Sequence, residues 1–239
     1  MPNILYGPPG EQFNTTTAQK RPLGTLLVLQ DGRWFRYGLN GGVAQTAGKV
    51  VQAEAPGGNF DDIAIPSAVA VGAVAISVTN GGTDITANMF NEGYMVVEDD
   101  AGEGHVYQMG AHAAIANTTA GTLNLAPGNS VQVAFTTATT VLLVKHGFKE
   151  YIIQPSPPTA LPIGVTPTAQ ALTTYGWVQT KGPAAVLTDG TVVIGQKVVS
   201  SASVDGAVIA ATDDLIATVG FVAEVAVTTE HSFIYLKMD

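Results

Sequence analysis

Leu23-Gly24-Thr25-Leu26-Leu27-Val28-Leu29-Gln30-Asp31-Gly32-Arg33-Trp34-Phe35-Arg36-Tyr37 is the stretch on which the fold class turns. A run of β-forming apolar residues leads into Asp31-Gly32, and a second run returns from it. Asp-Gly between two such runs is a strong hairpin signal, because a tight turn that matches strand twist needs left-handed backbone. Side chains alternate along a strand, so Trp34 and Arg36 share one face, with Phe35 and Tyr37 on the other.

The same texture continues outward from this hairpin. Val69 and Val71 occupy one parity and Val74, Ile76 and Val78 the other; the phase flips across Gly72-Ala73, which predicts a β-bulge. Residues 86–91 read as one helical turn capped by Thr86. Strands are predicted at 94–97 and 105–109, flanking the acidic tip Asp99-Asp100-Ala101-Gly102-Glu103-Gly104, and at 122–125, 131–135, 141–144 and 151–154. Pro155, Pro157, Pro158, Pro162 and Pro167 predict an extended, semi-rigid bridge and a domain boundary. Beyond it lies a β-meander with strands at 176–180, 184–187, 197–199, 207–209, 218–223 and 233–238, turned at Asp189-Gly190 and Asp205-Gly206. In the last strand both parities are apolar, which predicts cover on both faces. Residues 1–22 differ: two Gly-Pro turns and the polar run 12–21 offer little to bury, so they read as an arm, disordered alone or ordered along a partner. The expected architecture is all-β, an N-terminal extended arm (1–22) followed by two β-sandwich or β-barrel-like domains of short antiparallel strands, at 23–155 and 156–239. No repeat of 20–50 residues marks a solenoid or propeller.

Composition agrees. Of 239 residues, 46% are apolar and only 12% charged, with 27 Gly and 13 Pro, a mixture suited to short strands joined by many turns. There is no cysteine, which excludes disulfides, thiolate nucleophiles and Cys-bound zinc. No basic, apolar leader is evident at the start, and no apolar run reaches the length of a membrane-spanning helix, so a soluble protein is expected. The net charge of −9 is uneven: residues 1–50 hold five Lys or Arg against two acids, a net +3, leaving −12 for the rest. An acidic body argues against nucleic acid as partner, whereas the basic N-terminal part suits an acidic protein surface.

Chemistry-bearing patterns are sparse. His105, His112, His146 and His231 form no metal-binding spacing. Asp99, Asp100 and Glu103 are the densest carboxylates; they lack the order of a calcium loop and read better as a solvated hairpin tip. Asp61-Asp62 and Asp213-Asp214 are weaker signals. No nucleophile elbow, P-loop or dinucleotide fingerprint is present. Asn14-Thr15-Thr16 and Asn117-Thr118-Thr119 match the glycosylation sequon, a weak match in so Thr-rich a chain. No catalytic residue, metal or cofactor is expected.

Three stretches carry a resemblance to a known family. They are 31–37; 98–109, with its acidic Gly-rich tip; and above all Tyr175-Gly176-Trp177-Val178-Gln179-Thr180-Lys181-Gly182-Pro183-Ala184, followed by Asp189-Gly190. Together they resemble the decoration, or cement, proteins that coat the capsids of tailed bacteriophages. The resemblance implies a non-enzymatic virion protein on the capsid exterior, a homo-oligomer (a trimer in that family) that binds the major capsid protein and bridges its subunits. It implies no nucleic-acid or membrane partner. The arm, with Lys20, Arg21, Arg33 and Arg36, supplies the candidate capsid contacts. Two other readings stay open: a tail, fibre or head-spike component, and a secreted carbohydrate-binding or hydrolytic β-domain using Trp34 or Trp177.

Overall fold

The computed structural model describes residues 4–55, 57–212, 216–227 and 230–239; Asp213-Asp214 lie outside them. The fold is all-β, with two sheets, one of them curled into a half-barrel. In chain order the strands are β1 (Ile4–Tyr6), β2 (Leu26–Val28), β3 (Trp34–Leu39), β4 (Val50–Gln52), β5 (Ile63–Ala64), β6 (Ala75–Thr79), β7 (Tyr94–Asp99), β8 (Val106–Gln108) and β9 (Ala120–Asn124). There follow β10 (Thr140–Val144), β11 (Ile152–Ile153), β12 (Pro162–Val165), β13 (Tyr175–Leu187), β14 (Lys197–Ser200), β15 (Val208–Ala210), β16 (Thr218–Glu224) and β17 (His231–Lys237).

The chain divides into two compact units, but not at the Pro-rich bridge. Unit 1 comprises residues 1–55 and 147–239, and unit 2 residues 56–146. Val165 of β12 pairs with Val50 of β4, and Trp177 of β13 with Tyr37 of β3, so the last ninety residues complete a sheet begun by the first forty. Composition marks breaks in a chain; it carries no trace of which distant strand a segment will pair with. The principal path of the unit 1 sheet runs β1-β2-β3-β13-β17-β16-β14-β15, and unit 2 forms a sheet in the order β8-β7-β10-β5-β6-β9.

The arm is a second correction. Residues 4–22 lie along their own body. β1 pairs in parallel with β2, a one-turn 3₁₀ helix spans Glu11–Phe13, and Thr16 and Tyr175 exchange backbone hydrogen bonds of 2.9 and 2.7 Å. The Lys20 amide donates to the Tyr37 hydroxyl at 3.1 Å. Gln12, buried, returns its Oε1 to the Gly10 amide. Main-chain hydrogen bonds hold this segment, which is why its polar composition gave no sign of order.

Most expected strands form. Residues 131–135 do not: Phe135 makes only a single bridge to Val69. The predicted bulge at Gly72-Ala73 and the predicted helical turn at 86–91 are both instances of one recurring turn. A buried residue anchors it, two tip residues follow, the fourth is left-handed, and in most copies the fifth amide donates to the second carbonyl. The anchors are Gln45, Val69, Ile85, Ile115, Leu125, Gln170 and Val192, all buried. The left-handed residues are Gly48, Gly72, Asn88, Thr118, Gly128, Thr173 and Gly195. The closing bond is 2.9–3.3 Å in six copies, as from Ala73 to Ala70 and from Met89 to Thr86. Thr is strained with positive φ, by about 1–3 kcal/mol. Thr118 and Thr173 hold it because the next residue's hydroxyl, Thr119 or Thr174, donates to Ala116 or Ala171 at 2.8 and 2.7 Å.

In each unit two such turns pair, anchor to anchor, beside a buried asparagine. Gln45 and Gln170 exchange backbone bonds in unit 1, as do Ile85 and Ile115 in unit 2. Asn40 Nδ2 donates to the carbonyls of Val43, Gln170 and Ala171, at 3.0, 3.3 and 2.9 Å. Asn80 Nδ2 donates to Thr83, Ile115 and Ala116, at 2.9, 3.2 and 3.1 Å. Six residues beyond the second anchor comes a glycine in both units. A Cβ on Gly176 would sit 2.8 Å from the Gln170 amide, and one on Gly121 2.4 Å from Ile115. The two units therefore share a local motif.

Their cores differ. Unit 2 has one continuous apolar cluster, including Ile63, Ile76, Met95, Leu123, Phe135 and Val141. Unit 1 splits its apolar core into three, around Val198 and Ile234, around Phe35 and Trp177, and around Val51 and Tyr151. Phe35 and Tyr37 point inward and Trp34 and Arg36 outward, as their parity predicts. β17 departs from expectation: Ser232, Ile234 and Leu236 are buried, while Phe233 and Tyr235 are exposed on the other face.

Candidate interaction surfaces

Of the four cations expected to contact a partner, three are paired within the chain. Arg33 reaches Asp31 across the β2–β3 turn, at 2.8 Å from Nε and 2.7 Å from Nη2. Hydrogen bonding from Arg33 outweighs the opposing effect of burial and holds the Asp31 carboxyl below its ordinary pKa. Arg36 grips both carboxylate oxygens of Asp239 at 2.9 Å and donates to the Gly24 carbonyl at 3.0 Å. Burial pushes Asp239 up, but Arg36 and the Thr180 hydroxyl (2.7 Å) more than offset it, and its pKa is lowered. Arg21 lies 3.9 Å from Glu11, and Lys20 is exposed. The fold does not gather the four into one cluster of free charge; Arg33 and Arg36 belong to one strand, Lys20 and Arg21 to the arm.

Beside its polar residues the arm also presents apolar side chains outward. Tyr6 is 79% exposed and Phe13 52%; Ile4, also exposed, shares with Tyr6 the outer strand of the sheet, β1. Between the arm and the end of β2 lies a groove of about 440 Å³, lined by Tyr6, Gly7, Pro8, Val28, Leu29 and Gln30. The Leu29 amide donates to the Arg33 carbonyl at 3.0 Å, closing the turn that carries the Arg33–Asp31 pair.

A second surface was missed at the level of sequence. Register sets Trp34 opposite Lys181, and Lys181 opposite Lys237; the Lys181 ammonium lies 3.9 Å from the centre of the Trp34 ring, in cation–π range. The next row across the strands is Pro183, Tyr235, Phe221 and Lys197; a third sets Ala185, Phe233 and Glu224 side by side. Phe221, Phe233 and Tyr235 are 40%, 44% and 52% exposed, and the last two pack edge to face at 5.8 Å. Apolar residues at both parities of β17 disguised this face as a second buried one.

The remaining candidates have structural work. Asp100 takes hydroxyl bonds from Thr136 and Thr139, and Thr136 above all holds its carboxyl below the ordinary range. His112 is buried, accepting from the Phe90 amide at 3.1 Å. His105 contacts the Tyr107 hydroxyl, and His146 stacks on Tyr94. Among the described residues no group of three or more His, Asp or Glu is placed to hold a metal ion, and no helix is long and apolar enough to cross a membrane. Comparison of the chain with family models, curated proteins and solved structures returned no match.

Proposed function

We propose that this chain is a structural virion protein that binds the outer surface of a phage capsid and stabilises contacts between major capsid subunits. The observation that carries this reading is the folded-back arm, which holds Ile4, Tyr6 and Phe13 outward, with Tyr6 lining a groove against Val28, Leu29 and Gln30. Exposed aromatic side chains on rigid backbone bind at low entropic cost, and aromatics are the commonest anchors of protein interfaces. Arg36 is committed to Asp239, so Tyr6, Phe13 and Lys20 become the principal contacts, with Arg33 and Arg21 at their side. The sequence resemblance to decoration proteins supplies the shell as partner.

Removing residues 1–22 is a poor test, because the Thr16–Tyr175 and Lys20–Tyr37 bonds belong to the body. The informative variant is Tyr6→Ser/Phe13→Ser/Lys20→Glu, added to shells lacking this protein. Occupancy after co-sedimentation should fall at least about tenfold relative to wild type. Unchanged occupancy, with the fold intact by circular dichroism, rejects this contact surface.

A further inference from the structure

We propose that the outer face of β13, β17, β16 and β14 docks the acidic unit 2 of a second copy of this chain. This inference stands on the unit 1 sheet and does not depend on the capsid reading. Phe221, Phe233 and Tyr235 form an exposed aromatic strip across adjacent strands. The apolar surface continues toward one end of the sheet. There the Gly195 amide donates to Val222 at 2.8 Å, setting the Val193-Ile194 turn beside the exit of β16, and Val193, Ile194 and Val225 are all exposed. Exposed apolar surface of this extent, rimmed by charge, marks an interaction site.

Charge selects the occupant. Lys181 and Lys237 face each other on neighbouring strands, and Lys197 sits opposite Phe221. Among the described residues, Asp239 is held by Arg36 and Thr180, and Glu224 sits beside Phe233. Stacking the face on its own copy would set lysine against lysine, and like charges across an interface cost affinity. An acidic partner fits, and the chain contains one. Unit 2 carries eight carboxylates against the single Lys145, a net −7, whereas unit 1 carries eleven acids against nine Lys and Arg, a net −2. The contact is head-to-tail, so it propagates and closes only as a ring.

The test needs only purified protein. Wild-type chain in sedimentation velocity should self-associate with concentration, and high salt should weaken the association because the complementary charges are exposed. Phe233→Ser/Tyr235→Ser should weaken it at least about tenfold. Lys181→Glu/Lys237→Glu should abolish it. Mixing that variant with Asp99→Lys/Glu103→Lys should restore a complex that neither forms alone, while circular dichroism confirms that each is folded. A wild-type chain that stays monomeric at all concentrations overturns the proposal and leaves the face to a different protein. Association indifferent to both sets of unit 1 substitutions also overturns it, and failure of the swapped pair to associate removes unit 2 as the occupant. Shell binding probes Tyr6, Phe13 and Lys20 instead, so either proposal can fail alone.

Discussion

Asn40 in unit 1 and Asn80 in unit 2 donate to the same three carbonyl positions of the same paired turns, yet their acceptor sides differ. Asn40 Oδ1 accepts from Gln45 Nε2 at 2.7 Å, and the partner anchor Gln170 is held by the Tyr151 hydroxyl and by the Trp177 carbonyl. In unit 2 both anchors are isoleucine, and Asn80 Oδ1 has no hydrogen-bond partner among the described residues. The difference tracks the cores. Unit 2 wraps its turns around one continuous apolar cluster, which two isoleucines extend. Unit 1 has a divided core, and its glutamine–tyrosine network spans the gap that apolar contact leaves. The lesson is that the amide donors of the asparagine are the constant, while the chemistry around its oxygen follows the packing.

The largest effect should come from breaking the constant. Asn40→Ala removes the amide nitrogen that makes three hydrogen bonds and strands Gln45 Nε2, for about 3–5 kcal/mol. Asn80→Ala removes the same donors but an already unpaired oxygen, for about 2–3 kcal/mol. Trp34 and Trp177 both lie in unit 1, so their fluorescence in urea follows that unit; amide exchange at Ile85 and Ile115 follows the other. Equal costs would mean that the Gln45 bond contributes nothing.

Exchanging the anchors sharpens the comparison. Ile85→Gln offers Asn80 a donor but buries a second amide oxygen in the continuous core, for about 2 kcal/mol. Gln45→Ile reproduces the unit 2 arrangement and should cost about 1 kcal/mol. Reversal of that order in denaturant midpoints would show that the anchors do not follow the cores. Tyr151→Phe should cost about 1–2 kcal/mol in unit 1 alone, since Gln170 Oε1 loses its donor.

Acid should act on both units through different carboxylates. The pKa of Asp239 is lowered in the folded state, so its pairing with Arg36 stabilises unit 1 above the ordinary carboxyl value of 3.8 and is lost as pH falls through the depressed folded value. Asp239→Asn should remove about 1 kcal/mol at neutral pH and flatten the acid limb of the Trp fluorescence profile. An unchanged acid limb would show that the pair does not contribute. The smallest effect is expected at Asp100, fully exposed, where Asp100→Asn should speed amide exchange only around 136–139.

Legibility in the sequence followed the range of the interaction. The β2–β3 hairpin, the parity of Trp34 to Tyr37 and most strand positions were readable, because turn residues and side-chain alternation are local. The recurring turn was half visible: Gly72 and Thr86 each drew attention, but as a bulge and a helical turn, since its left-handed position admits Gly, Asn or Thr and has no single signature. Of the candidate contacts, Lys20 is exposed, whereas Arg33 and Arg36 have ion-pair partners, and the sequence did not reveal that of Arg36, 203 positions away in Asp239.

By itself, then, the sequence determined an all-β chain of short strands, through β-branched and small residues punctuated by glycine and proline, and a strong excess of acid after residue 50. Tertiary structure alone decided that the arm lies on its own sheet, that the proline bridge is interior to a unit, and that one side of β17 faces outward. Strand partners, and therefore which of two apolar faces is covered, are set by pairings between segments distant in the chain, such as Val50 with Val165 and Tyr37 with Trp177. Such pairings leave no periodicity in the chain to read.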